Sequence, residues 1–245
     1  MLNARLAANS QASRDFDEWC LRQLPELPLP ARVLDLGAGT GKQVQLFAPL
    51  FTPRSEFWAL DSSGESLAQL QQSYQAPPAL HIKEGSFDEL EQYPELIADT
   101  FDLIYASYAL YYTHALPHVI REVHRLLKPG GVFWVIAPYM GTNDEFLRII
   151  RPLHEVDAFM DYVFDQFHAE VVQESEKAGF RSLKPSLFRN KIRFDTPEAF
   201  MKYLSHSLFY RAGHDEAILE AVGKEIAEKG AFTVSKNVIS LQLRK

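Results

Sequence analysis

The chain has a single cysteine, Cys20, in 245 residues, so it can form neither an internal disulfide nor a cysteine-based zinc site. It also lacks an excess of positive charge. Lys and Arg number 25 against 32 Asp and Glu, a formal net charge of −7. Phosphate neutralisation supplies much of the affinity of nucleic-acid binders, so this balance argues against a nucleic-acid partner. No stretch approaches the ~18 apolar residues of a membrane span. The first residues, among them Asn3, Arg5, Asn9, Ser10 and Gln11, are polar and carry no apolar core of a secretion signal. These absences lead us to expect a cytoplasmic protein with no membrane partner. Repeats and low-complexity segments are missing too, which favours one domain over 1–245.

What the chain does contain is ordinary globular material, 47% hydrophobic and 23% charged, enough for a substantial core. Residues 14–24 read as a helix, closing an N-terminal helical segment over 1–30. Short apolar runs at 32–36, 56–60, 80–83, 101–106 and 132–137 read as strands. Helical patterns fall between them at 42–51, 64–75 and 116–127, the last stopping at Lys128-Pro129-Gly130-Gly131. Alternation of this kind predicts βαβ units, a parallel sheet and helices on both faces. We therefore expect an α/β fold: a Rossmann-like doubly wound sheet of seven strands, mostly parallel, with an antiparallel last strand and helical lid insertions. The core would cover 31–140, the insertions 141–231 around a sixth strand near 181–188, and the terminal strand 232–245. Within the insertions the pattern predicts helices over 143–177, 197–208 and 214–229, with Thr196 as N-cap and Pro197 in the first turn.

The chemistry concentrates where the first strand ends, in Asp35-Leu36-Gly37-Ala38-Gly39-Thr40-Gly41. Glycines there let a ligand approach the main chain, and the helix behind them directs its amides towards it. Asp35 places a carboxylate at the end of a buried strand. Asp61 ends the second strand twenty residues after Gly41, where acidic residues bind ribose hydroxyls in dinucleotide folds. A nicotinamide-type loop would read G-x-G-x-x-G, whereas this one reads G-A-G-T-G.

The run VLDLGAGTG resembles the first motif of class I S-adenosylmethionine-dependent methyltransferases. ALDSS at 59–63, EGSF at 84–87, FDLIYASYAL at 101–110 and RLLKPGG at 125–131 resemble the family's later motifs, in order. The resemblance covers residues 30–140 well and the rest loosely. It implies S-adenosylmethionine as cofactor and S-adenosylhomocysteine as product. By position it implies that Asp35 and the amides of Gly37, Ala38 and Gly39, in the turn closed by Gly41, hold the amino-acid end. Asp61 would hold the ribose with Ser62 beside the adenine, Ser86 and Phe87 would flank the adenine edge, and Ala106 and Ser107 would line the methionine. The family more often has Asp where Ser86 stands.

Methyl transfer needs alignment and water exclusion more than a fixed catalytic set. His114 is the candidate base, and Tyr108 and Tyr111 are the candidate substrate-facing rings. His114 and His118 share helical spacing, but no carboxylate completes a set and Pro117 intervenes, so no metal is expected. No Asn/Asp-Pro-Pro-Tyr follows the fourth strand and no cysteine lies there, which disfavours methylation of nucleic-acid bases. Phe146, Phe159, Phe167, Phe209 and Tyr210 suggest a lid over an apolar or aromatic small molecule. Two other readings stay open: an RNA or protein methyltransferase, and a cofactor-binding regulatory protein without turnover.

Overall fold

A computed structural model describes residues 14–245. The first thirteen residues of the expected N-terminal segment lie outside the described residues. Helix α1 (Phe16–Gln23) buries Trp19 and Cys20. Then follow β1 (Arg32–Leu36), α2 (Lys42–Phe47), β2 (Glu56–Asp61), α3 (Gly64–Ser73), β3 (Ala79–Glu84), β4 (Phe101–Ser107), α4 (Leu116–Leu126) and β5 (Leu127–Pro138). The remainder comprises α5 (Asp144–Ile150), α6 (Ala158–Asp165), α7 (Phe167–Lys177), β6 (Arg181–Ser182), β7 (Ser186–Phe194), α8 (Pro197–Leu204), α9 (Asp215–Lys229) and β8 (Phe232–Arg244). Among the described residues no helix is long and apolar enough to cross a membrane.

The strand order is β3-β2-β1-β4-β5-β8-β6, with β7 pairing β8 off that path. β1 runs parallel to β2 and β4, β2 to β3, and β4 to β5. The last long strand, β8, is antiparallel to β6. This is the expected doubly wound sheet with eight strands rather than seven, because the anticipated sixth strand resolves into β6 and β7. β1, β4 and β5 carry apolar residues on both faces, as strands covered from both sides must.

Contacts divide the chain into two compact units. The core unit holds residues 17–137, 166–187 and 239–245, and the second unit holds 138–165 and 188–238 together with the described residues up to Phe16. In the core unit, buried Asp102 at the start of β4 accepts from both neighbouring strands. Arg32 N donates to it at 2.8 Å from β1, and Lys128 Nζ lies 2.8 Å from both its oxygens from β5.

Several boundaries differ from the sequence reading. β5 begins at Leu127 instead of 132: the chain passes from α4 directly into the sheet, with a register irregularity between Phe101 and Leu103. The continuous helix expected over 143–177 is three helices, α5 to α7. Pro152 follows the end of α5 and opposes its continuation. Thr196 caps α8 as expected, its hydroxyl accepting from Ala199 N at 3.2 Å.

Candidate cofactor and acceptor site

The order of strands reverses between β1 and β4, and in open α/β sheets ligands bind outside the carboxyl ends of the strands at that point. The glycine loop leaves β1 there. Gly37, Gly39 and Gly41 all have positive φ, of 79°, 54° and 77°. Two of them are filled against the chain itself. A Cβ on Gly37 would lie 2.3 Å from the Ala109 methyl, and one on Gly41 2.1 Å from Leu70 Cδ1. Gly39 differs, because nothing stands within 4 Å of where its Cβ would be. It is the glycine that leaves a free cradle above the loop.

The loop amides are engaged otherwise than expected. Gly37 N and Ala38 N donate to Leu60 O at 2.8 and 3.1 Å, and Gly39 N donates to Asp61 Oδ2 at 2.7 Å. They bind the loop to β2, so the expected grip of these three N–H groups on a ligand is corrected. Ser63 N donates to the other Asp61 oxygen at 2.8 Å. Two backbone donors thus fix the Asp61 carboxylate, and each oxygen keeps acceptor capacity for a hydroxyl. Ser62 beside it is exposed.

Beneath the loop the polar groups are unsatisfied. Asp35 pairs in register with Tyr105 across β1 and β4, and both are buried. Burial pushes the Asp35 carboxyl up to about 8, the Tyr105 hydroxyl offsets part of that rise, and the Asp61 charge adds to it. The Tyr105 hydroxyl falls short of full hydrogen-bond geometry: its oxygen and Asp35 Oδ2 have no partner among the described residues. Burial and the neighbouring Asp35 raise the Tyr105 hydroxyl well above its ordinary value. Ser107 Oγ, at the end of β4, is likewise buried and unpartnered. Orphaned buried groups of this kind call for a ligand or a functional role. Ala106, expected to line the methionine, is fully buried between strands and offers no surface of its own.

Ser86 caps the 3₁₀ turn that follows β3, its hydroxyl accepting from Asp88 N at 3.1 Å. Phe87 reaches over Gly37, with its ring edge 3.7 Å from where a Cβ would stand. Sequence reading missed Asp88. Its carboxylate accepts from the Thr113 hydroxyl, and from His114 N at 3.2 Å, so it ties the turn after β3 to the segment after β4. Nothing local in the sequence marks that pairing across 25 residues.

The candidate acceptor-side residues separate. Tyr108 is 40% exposed and holds φ at 55°, with its amide on Ile136 O at 2.8 Å. A non-glycine residue in the left-handed region is strained, and such strain concentrates at functional sites. Tyr111 corrects its expectation as a substrate-facing ring. It is buried, edge-on to Phe167 with centroids 5.8 Å apart. Phe167 is corrected with it, from lid residue to core-unit packing. His114 is exposed, and His118 Nε2 instead lies 3.0 Å from Glu91. In the second unit Phe146 packs against both Phe200 and Phe209. Phe159 sits near Tyr162, and Tyr210 donates to Asp215 at 3.2 Å. Among the described residues no three His, Cys, Asp or Glu side chains are grouped to hold a metal.

A doubly wound sheet with a glycine turn after β1, an acid at the end of β2 and orphaned polar groups at the β1–β4 switch defines a nucleotide-cofactor-binding α/β domain. Residues 33–131 match the family described as "Methyltransferase domain". The chain is 36% identical over 131 residues to trans-aconitate 2-methyltransferase of Deinococcus radiodurans, a match covering 54% of this chain and 45% of that protein. It is 35% identical over 104 residues to malonyl-[acyl-carrier protein] O-methyltransferase of Methylococcus capsulatus, covering 42% and 36%. The chain therefore spans less than half the length of these two relatives. Its fold resembles the crystal structure of YcgJ from Bacillus subtilis, with a TM-score of 0.65 at 17% identity over 94% of this chain and 97% of that one. Residues 33–131 thus carry the match to a methyltransferase domain, and these likenesses together support a class I S-adenosylmethionine-dependent methyltransferase.

Proposed function

We propose that the protein transfers a methyl group from S-adenosylmethionine to a small molecule. The observation that carries this reading is the set of groups left waiting where β1 and β4 end. Gly39 offers an open cradle, and Asp35 Oδ2 and Ser107 Oγ have no partner among the described residues. The cofactor's amino-acid end brings an ammonium and a carboxylate, and these residues fit it. Asp35 would accept from the ammonium and Ser107 would donate to the carboxylate. Asp61, already oriented by Gly39 N and Ser63 N, would accept from the ribose hydroxyls. Ser86 and Phe87 would border the adenine, with the Ser86 hydroxyl keeping its proton to donate.

When bound, the cofactor supplies a methyl group already activated on a sulfonium. What the chain must add is alignment and exclusion of water. Tyr108 sits at the end of β4, next to Ser107, and its strained backbone presents the ring outward. His114, close in sequence and exposed, can take a proton from an acceptor that carries one. The relatives' names speak for a small acceptor: one for trans-aconitate, the other for a malonyl group on a carrier protein.

Calorimetry with S-adenosylmethionine and S-adenosylhomocysteine tests the reading directly. Both are expected to bind one site per chain, and turnover with a panel of small molecules is expected to release S-adenosylhomocysteine. Absence of binding by either compound would overturn the assignment. Tight binding with no product from any acceptor would favour a regulatory role.

A further inference from the structure

Away from the glycine loop, the second unit contains a cavity of about 380 Å³ beside the paired strands β7 and β8. Its walls include Arg189 and Lys191 of β7, Ser235 and Asn237 of β8, and Tyr139 and Met140. That volume lies within the range of small-ligand sites. We propose that it binds a small organic acid bearing two or more carboxylates. This binding is independent of methyl transfer.

The neutral polar groups of the wall bond among themselves or to the residues behind them. Asn237 Nδ2 donates to Met140 O at 2.8 Å, and Tyr139 N donates to Asn237 O at 3.0 Å. Asn190, buried between the two cations in sequence, holds the backbone of Arg14 through both ends of its amide. Ser235 donates from its amide and its hydroxyl to Glu145. Glu145 is thereby satisfied, and it does not line the cavity. Asp144, near Gly141 on the same side, does not line it either.

The two cations are what remains. Arg189 and Lys191 stand two apart on the exposed face of β7, a strand whose residues alternate exposed and buried from Leu187 to Phe194. Strand geometry sets them roughly 7 Å apart along the chain, so their like charges repel. Neither head group has a partner among the described residues, whereas Arg193 on the same face pairs with Asp195 at 2.8 Å. Residues 1–13 contain no Asp or Glu, so they supply no countercharge. Two uncompensated positive charges on a cavity wall, in a chain of net charge −7, match a dianion. The guanidinium fork suits a carboxylate held by two hydrogen bonds, and the ammonium serves a second as a point charge. The Tyr139 ring and the Met140 thioether supply apolar surface for a carbon skeleton. That surface favours an organic acid over inorganic phosphate.

The full chain, without cofactor, is titrated calorimetrically with citrate, succinate and inorganic phosphate. Citrate and succinate are expected to saturate one site, with affinity falling as salt rises. Arg189→Gln and Lys191→Gln are each expected to weaken citrate roughly tenfold, and the pair more. Both side chains are exposed, so the variants should fold, and matching thermal melts would confirm it. Arg54→Gln, an exposed arginine outside the cavity, should leave affinity unchanged. No saturable citrate binding, or wild-type affinity in the double variant, would overturn the proposal. Phosphate binding as tightly as the organic acids would overturn the organic-acid class.

Discussion

Single residues decide how the glycine loop works, because its three glycines stand in three different environments. Gly37→Ala forces a methyl against Ala109 at a positive φ, so overpacking and backbone strain add. We expect a loss of about 2–4 kcal/mol in urea unfolding. Gly39→Ala meets open space and incurs only the left-handed strain, about 1–2 kcal/mol. Its larger effect should fall on the cofactor, which needs that space. A calorimetric comparison of the two variants checks the pattern, and equal effects on stability and affinity would contradict it. Asp35 makes a separate prediction about pH. Its folded value of about 8 lies above the ordinary 3.8, so the folded state holds the extra proton between those values. Its contribution to stability is complete below pH 4 and is lost as the pH rises through about 8. A cationic ammonium would favour the ionised carboxylate, so cofactor binding should release a proton and tighten as pH rises towards 8. Asp35→Asn should flatten both profiles, seen in melts and titrations at pH 6 to 9.

Elements are held in register by groups that are distant in sequence. Asp102 joins the amino ends of β1, β4 and β5 through Arg32 N and Lys128. Lys128 is partly exposed, so the ion pair alone is a modest stabiliser. Removing the carboxylate also strands the part-buried Arg32 amide. Asp102→Ala should therefore cost about 2–3 kcal/mol in chemical denaturation, more than Lys128→Met. The strands themselves were readable because β1, β2 and β4 are short apolar runs, β1 running into a glycine and β2 ending at an acid. The end of α5 was marked in the sequence too, by Pro152 in a stretch without aromatic residues between Phe146 and Phe159, whereas only tertiary packing assigns Phe167 to Tyr111. The early start of β5 was hidden by Lys128-Pro129-Gly130-Gly131, which reads as a turn although hydrogen bonds draw it into the sheet. Gly130 N and Gly131 O there bond to Lys245 O and N at 3.0 Å. Within the site, Asp61 was legible as an acid at a strand end. Its use as a brace for Gly39 was not, because that depends on how the loop folds back.

At the scale of the whole molecule, β8 carries more than its length suggests. Residues 239–245 complete the core unit between β5 and β6. Leu241 and Leu243 are buried there, and Ser240 Oγ accepts from Trp134 Nε1 at 2.8 Å in a fully enclosed bond. Gln242 donates to Gln23 O, so the strand also secures the end of α1. The Lys245 ammonium reaches Asp99 at 2.7 Å and Leu127 O at 2.8 Å. Deleting 239–245 would leave β5 with an unpaired edge, an orphaned indole N–H and two vacated leucine sites. Loss of even one buried leucine typically costs 2–5 kcal/mol, and whole domains are stable by only about 5–15 kcal/mol. The truncated chain should therefore lose its cooperative thermal transition in circular dichroism, and with it cofactor binding, although every residue of the glycine loop is intact. Ser240→Ala is the graded version. It leaves the strand in place and should lower stability by about 1–2 kcal/mol while leaving cofactor affinity unchanged. A truncated chain that melts like the parent would show that the core unit does not depend on β8 for closure.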